Sequence, residues 1–284
     1  MNMKKKLIVA TALTTLLIGG TALTISANND GYELYKTALK KTHTLHSAET
    51  SIESRVTVNN QIYQNIEMDA KYNLDQKAVH STVNLQLHDK TEQLELTMQD
   101  GQFYINNQEQ TYSIETSQKE HPHPDKELMK IAETVVDTLT SPLRDDFKVD
   151  GNTITIALTN KDIPTVFRQI GEYMVKKGTA AHEHATMSPK EYPFLTEELS
   201  ASLPVLTDNI KIENVLIDAE LTEDNFLKSQ TMNINLSGED KNGEVQQVQL
   251  HFTMDISNLN TTQLENVTFD NNIIPLPEFK GAHH

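Results

Sequence analysis

The residues best suited to chemistry are two pairs of histidines. His121 and His123 lie in one polar stretch, and His182 and His184 flank Glu183 in another, with Met187 close by. In an extended segment, residues two apart point to the same side, so each pair can present two imidazoles to one ion. Zinc or copper suits such ligands. If the two stretches met at one end of a domain, a four-ligand site would result. The plainer reading is two exposed polar loops in which histidine is incidental.

Other chemistry is hard to find. There is no Gly-x-Ser-x-Gly elbow, no phosphate-binding glycine loop and no His-Glu-x-x-His. The pairs Asp145-Asp146 and Glu197-Glu198 are adjacent in sequence, so their side chains diverge and do not form an acid/base couple. Asp240 to Glu244 resembles the start of a calcium loop, but a strand pattern replaces the later ligands and a hairpin turn fits better. The absence of cysteine removes disulfides, thiolate metal sites and thiol nucleophiles. No cofactor is expected apart from the zinc or copper that the histidines suggest, and the expectation is a protein that is not an enzyme.

The formal charge of -16 over 284 residues argues against nucleic acid as a partner, because such binding needs Lys and Arg to neutralise phosphates. The first 27 residues read as an export segment. Lys4, Lys5 and Lys6 precede an apolar run from Leu7 to Ile18, and Ile25-Ser26-Ala27 offers a cleavage site. Residues 7–27 are also long enough to stay as a membrane anchor. Either fate places residues 28–284 outside the cytoplasmic membrane, secreted or held at its surface.

Those residues read as a single α+β domain. A short amphipathic helix over 30–42 carries Tyr32, Tyr35, Ala38 and Leu39 at helical spacing. A meander follows over 48–115, with turns at Asn59-Asn60 and Asp100-Gly101. The helical region, 125–204, holds a helix over 126–140, a hairpin over 147–158 and a helix capped by Asn160 that ends at Gly178. A polar loop over 179–189 and a short helical piece ending at Leu203 complete it. A second meander fills 209–270, and Ile274 to Pro277 forms an irregular finish. Its strands alternate cleanly: Val215, Ile217, Ala219 and Leu221, then Met232, Ile234 and Leu236, then Val248 to Ile256. Period-two alternation implies one dry face and one wet face, here carrying Asn233, Asn235, Gln249, His251 and Asp255. Strand runs on both sides of a helical middle argue for an α+β domain with antiparallel strands, not a parallel sheet.

This arrangement resembles the LolA/LppX-like lipoprotein carriers. The residues that carry the resemblance are the return strand Asp100, Gly101, Phe103, Tyr104 and Ile105, and the second meander from Val215 to Ile256. The resemblance implies a half-barrel closed by helices around an apolar cavity that takes lipids or acyl chains. The lipid-anchoring cysteine of the lipoprotein branch is missing, so that mode of attachment does not carry over. The side chains expected to line such a space are Tyr32, Tyr35, Ile131, Val135, Phe167, Ile170 and Met174. The expected role is binding, at the outer face of a Gram-positive-type cell, with a lipid, another apolar ligand or a membrane protein as partner.

Overall fold

The computed structural model describes residues 31–115, 141–165, 167–169, 172, 185–187, 189, 192–196, 199–201, 206–269 and 272–276. The first helix, α1 (Gly31–His43), starts with Glu33 in its first turn and ends with Lys40, Lys41 and His43 in its last. These charges suit the two ends of the helix dipole. Its dry face is Tyr32, Tyr35 and Ala38. Gly31 is required by a close approach: a Cβ there would lie 2.6 Å from the Phe147 carbonyl oxygen.

The first meander is β1 (Ser47–Val58), β2 (Gln61–Asn73), β3 (Ala78–Leu87), β4 (Lys90–Gln99), β5 (Gln102–Asn106) and β6 (Thr111–Glu115). Its turns follow the dipeptides read from sequence. Asn59 and Asn60 both have positive φ, as do Asp100 and Gly101, the backbone that two-residue hairpins demand. A six-residue 3-10 turn (Ser141–Asp146) leads into the hairpin β7 (Phe147–Asp150) and β8 (Thr153–Thr159). The second meander is β11 (Leu206–Leu221), β12 (Leu227–Asp240) and β13 (Val245–Ser257).

These strands form one sheet. With β14 (Ile273–Leu276) at its edge, the order is β14-β6-β5-β4-β3-β2-β1-β13-β12-β11-β8-β7. The two meanders are joined through β1 and β13, in antiparallel register from Glu49↔Ser257 to Val58↔Val248. The sheet is open, large and antiparallel except at the β14–β6 edge. Register breaks between Val56 and Thr57, and at four points of β11 against β12, bend and twist it.

Several local expectations are corrected. The segment β9 (Ala185–Met187) pairs with β10 (Leu199–Ala201), where a loop and a helical piece were expected. Pro193 rules out one continuous helix from Ser188, since it lacks the N–H and clashes with the preceding turn. Asn160 does not cap a helix with its side chain; its amide donates to the Ile212 carbonyl at 2.8 Å and fastens the chain to β11. The second meander ends at Ser257, short of the expected 270. The finish is not irregular either: β14 pairs in parallel with β6. Its Pro275 is tolerated because the strand is an edge.

Between β13 and β14 the chain runs as a strap across the polar face. Two glutamines hold it by backbone mimicry. Gln76 donates to the Leu264 carbonyl and accepts from its N–H, at 3.1 and 3.0 Å. Gln99 does the same to Val267, at 2.8 and 2.9 Å. Phe269 stacks on Tyr104 with ring centroids 4.2 Å apart.

Candidate ligand-binding face

The register puts nearly all large apolar strand residues on one face. A single cross-strand row reads Gln230, Met254, Ile52, Met68, Val83 and Leu94, from β12 to β4. The next reads Met232, Phe252, Ser54, Ile66, Leu85 and Glu92. Three packed clusters stand on this face. One lies under α1 and includes Tyr35, Ala38, Leu45, Leu227, Phe252 and Met254. A second joins Leu87, Leu94, Ile105 and Tyr112 to Tyr192, Phe194 and Leu195. A third packs Ile156, Leu158 and Ile163 against Leu143, Phe147 and Phe167.

Two buried polar residues of this face, Gln230 and Glu92, each anchor a covering segment. Gln230 is 1% exposed and accepts a 2.7 Å hydrogen bond from the Tyr35 hydroxyl. Burial raises the Tyr35 pKa well above its ordinary value near 10, so the hydroxyl keeps its proton and remains a donor. Glu92 is 5% exposed and accepts from both the backbone N–H and the hydroxyl of Thr196, at 2.7 and 2.6 Å. The Asn107 amide supports the same segment by donating to the Phe194 carbonyl at 3.0 Å. A buried polar group without a partner would cost about 1–3 kcal/mol, so these pairs fix where α1 and residues 192–196 sit.

Between these clusters, several apolar side chains are not packed into a core of described residues. Ile66, Met68, Val83, Ile234 and Leu250 are only half-buried and belong to none of the three clusters. They form a strip across β2 and β3 and across β12 and β13.

Of the seven side chains expected to line a ligand space, three are described. Tyr32 meets Phe147 edge to face at 5.3 Å, and the Arg144 guanidinium lies 4.8 Å from its ring centre. Tyr35 is in the α1 core. Phe167 is half-buried against the third cluster. Tyr32, Tyr35 and Phe167 all take part in packing around Phe147. Ile131, Val135, Ile170 and Met174 lie outside the described residues, as do His121, His123, His182 and His184. Among the described residues, no three His, Asp or Glu side chains are placed to hold a metal ion. Residues 1–30 also lie outside, and no described helix is long and apolar enough to cross a membrane.

The strip residues were visible in the sequence only as the dry positions of strands. What singles them out is exposure, which depends on where the covers end.

No family model matches this chain, and no curated protein matches it. Among solved structures it is similar to LprF from Mycobacterium bovis, at 13% identity and a TM-score of 0.33, covering 87% of this chain and 99% of that one. It is also similar to the bifunctional dehydratase-cyclase domain of ambruticin biosynthesis, at 9% identity and a TM-score of 0.14, covering 87% and 89%. At these TM-scores neither bears on fold, ligand, partner or mechanism.

Proposed function

We propose that this chain is an exported, non-enzymatic binding protein whose apolar sheet face receives a lipid or another apolar ligand. The observation that carries this reading is the half-buried strip of Ile66, Met68, Val83, Ile234 and Leu250, which no packed cluster of described residues includes. Leaving so many large apolar side chains partly wet forgoes burial worth about 25 cal/mol per Å². A linear acyl chain laid across the strands would recover that burial without needing hydrogen bonds. The half-barrel that the family resemblance implies and the export segment read from the sequence fit the same role. Delivery from outside the cytoplasmic membrane, by a secreted or anchored form, gives such a ligand a source.

The test is uptake of a fluorescent fatty acid by residues 28–284. Wild type should bind it and show blue-shifted emission. Met68→Asp and Val83→Asp place a carboxylate on the strip and should each weaken binding more than about tenfold, because a charge buried beside an alkyl chain is poorly tolerated. Far-UV circular dichroism should stay unchanged. No uptake by wild type, or equal uptake by both variants, would sink the proposal.

A further inference from the structure

The opposite face of the sheet carries a separate cavity. A groove of about 760 Å³ lies between the polar face of the first meander and the strap, with Val267, Thr268 and Phe269 forming one wall. Its volume is in the range of small-molecule sites. Its floor has an order that the register makes plain. Asp255, Ser51, Asp69, Thr82, Glu95 and Asn106 stand in one row across six strands, so carboxylates alternate with hydroxyl or amide groups. All six line the groove. Among the described residues, Ser51, Asp69, Thr82, Glu95 and Asp255 have no side-chain hydrogen bond or ion pair, so their polar atoms are free for a ligand. The remaining base–acid pair of the groove satisfies itself, with Lys71 Nζ 3.1 Å from Glu49 Oε1.

Spacing decides what such a floor can hold. Successive carboxylates in the row are two strands apart, about 9–10 Å at ordinary strand separation. That is too far for two of them to share one cation, whose ligands lie within about 2.6 Å. The partner must therefore be extended and must meet the groups one after another. Alternating acceptors and hydroxyls suit a ligand that offers many O–H and N–H groups. The surplus of carboxylates excludes anionic polymers and favours a ligand with ammonium groups. The Phe269 ring, stacked on Tyr104, supplies an aromatic surface at one end of the groove.

We propose that this groove binds a linear amino sugar oligomer laid across the strands, its hydroxyl and ammonium groups meeting the row from Asp255 to Asn106. This site is independent of the apolar strip, on the other side of the sheet. Calorimetric titration of residues 28–284 with a glucosamine tetramer tests it. Wild type should bind, and Asp69→Asn combined with Glu95→Gln should weaken binding about tenfold or more, with an unchanged melting temperature. Glu67→Gln removes a charge from the same face of β2 outside the groove and should leave affinity unchanged. Absence of binding to the tetramer would overturn the proposal, and so would wild-type affinity in the double variant. Spermine binding as tightly as the tetramer would show that charge alone suffices and would overturn it as well. Equal affinity for the N-acetylated tetramer would remove the ammonium requirement with the same consequence.

Discussion

The two faces of the sheet meet the same difficulty, covering a wide pleated surface with little chain, in opposite ways. On the apolar face the described covers are α1, a 3-10 turn and short irregular segments, and α1 and residues 192–196 are pinned by buried polar contacts, Tyr35 to Gln230 and Thr196 to Glu92. On the polar face the cover is a single extended strap, held by side-chain amides that copy a backbone pair. The first arrangement leaves apolar side chains half wet, and the second leaves polar side chains without partners. A cover that buries little creates binding surface, and its chemistry is set by the face beneath it.

Substitutions within the apolar face should separate packed from open regions. Leu227 is fully buried under α1, and Leu227→Ala should cost about 2–5 kcal/mol in chemical denaturation. Met68→Ala removes a similar volume from the strip and should cost about 1 kcal/mol or less, since its burial is partial. Equal losses would erase the distinction between cluster and strip.

The pin between α1 and the sheet should show strong coupling. Tyr35→Phe leaves the Gln230 carbonyl oxygen without its donor, and the Gln230 amide nitrogen already lacks a partner among the described residues. The single change should cost about 1–3 kcal/mol. Adding Gln230→Leu should return stability to within about 1 kcal/mol of wild type, because both polar groups are then gone. Additive losses in the double variant would contradict the pin.

The smallest effect is on the polar face. His80 sits beside Lys71 on β2 and Thr97 on β4, and burial lowers its pKa below the ordinary value near 6.5. The unfolded chain then binds a proton more readily than the folded one. Stability should be unaffected above about pH 6.5 and should fall as pH drops below it, until the folded-state pKa is passed. His80→Gln should flatten that slope in melting curves taken between pH 5 and 7. The Lys71–Glu49 pair beside it keeps Glu49 ionised, since the Lys71 hydrogen bond lowers its pKa, so it adds no slope in that window.

Much of this was legible in the sequence, for local reasons. Alternation gave every long strand its dry and wet sides, and dipeptides such as Asn59-Asn60 marked turns whose backbone needs positive φ. The join of β1 to β13 was not legible, because no local pattern states which strand lies beside which. Nor were the roles of Gln76 and Gln99, since an amide in a turn or at a strand end reads as an ordinary solvated residue until its partner some 170–190 positions away is placed. Tyr32 and Tyr35 show the limit for the site. Helical spacing marked them as facing the sheet, and they do. Whether that space is packed or open depends on Phe147 and Gln230, far along the chain.

Native mass spectrometry of the exported protein, purified without detergent, tests the central claim most directly. Wild type should carry an adduct of lipid mass that collisional activation removes, and Met68→Asp/Val83→Asp should appear at the bare polypeptide mass. A bare wild-type mass, or an adduct retained equally by the double variant, would contradict the account.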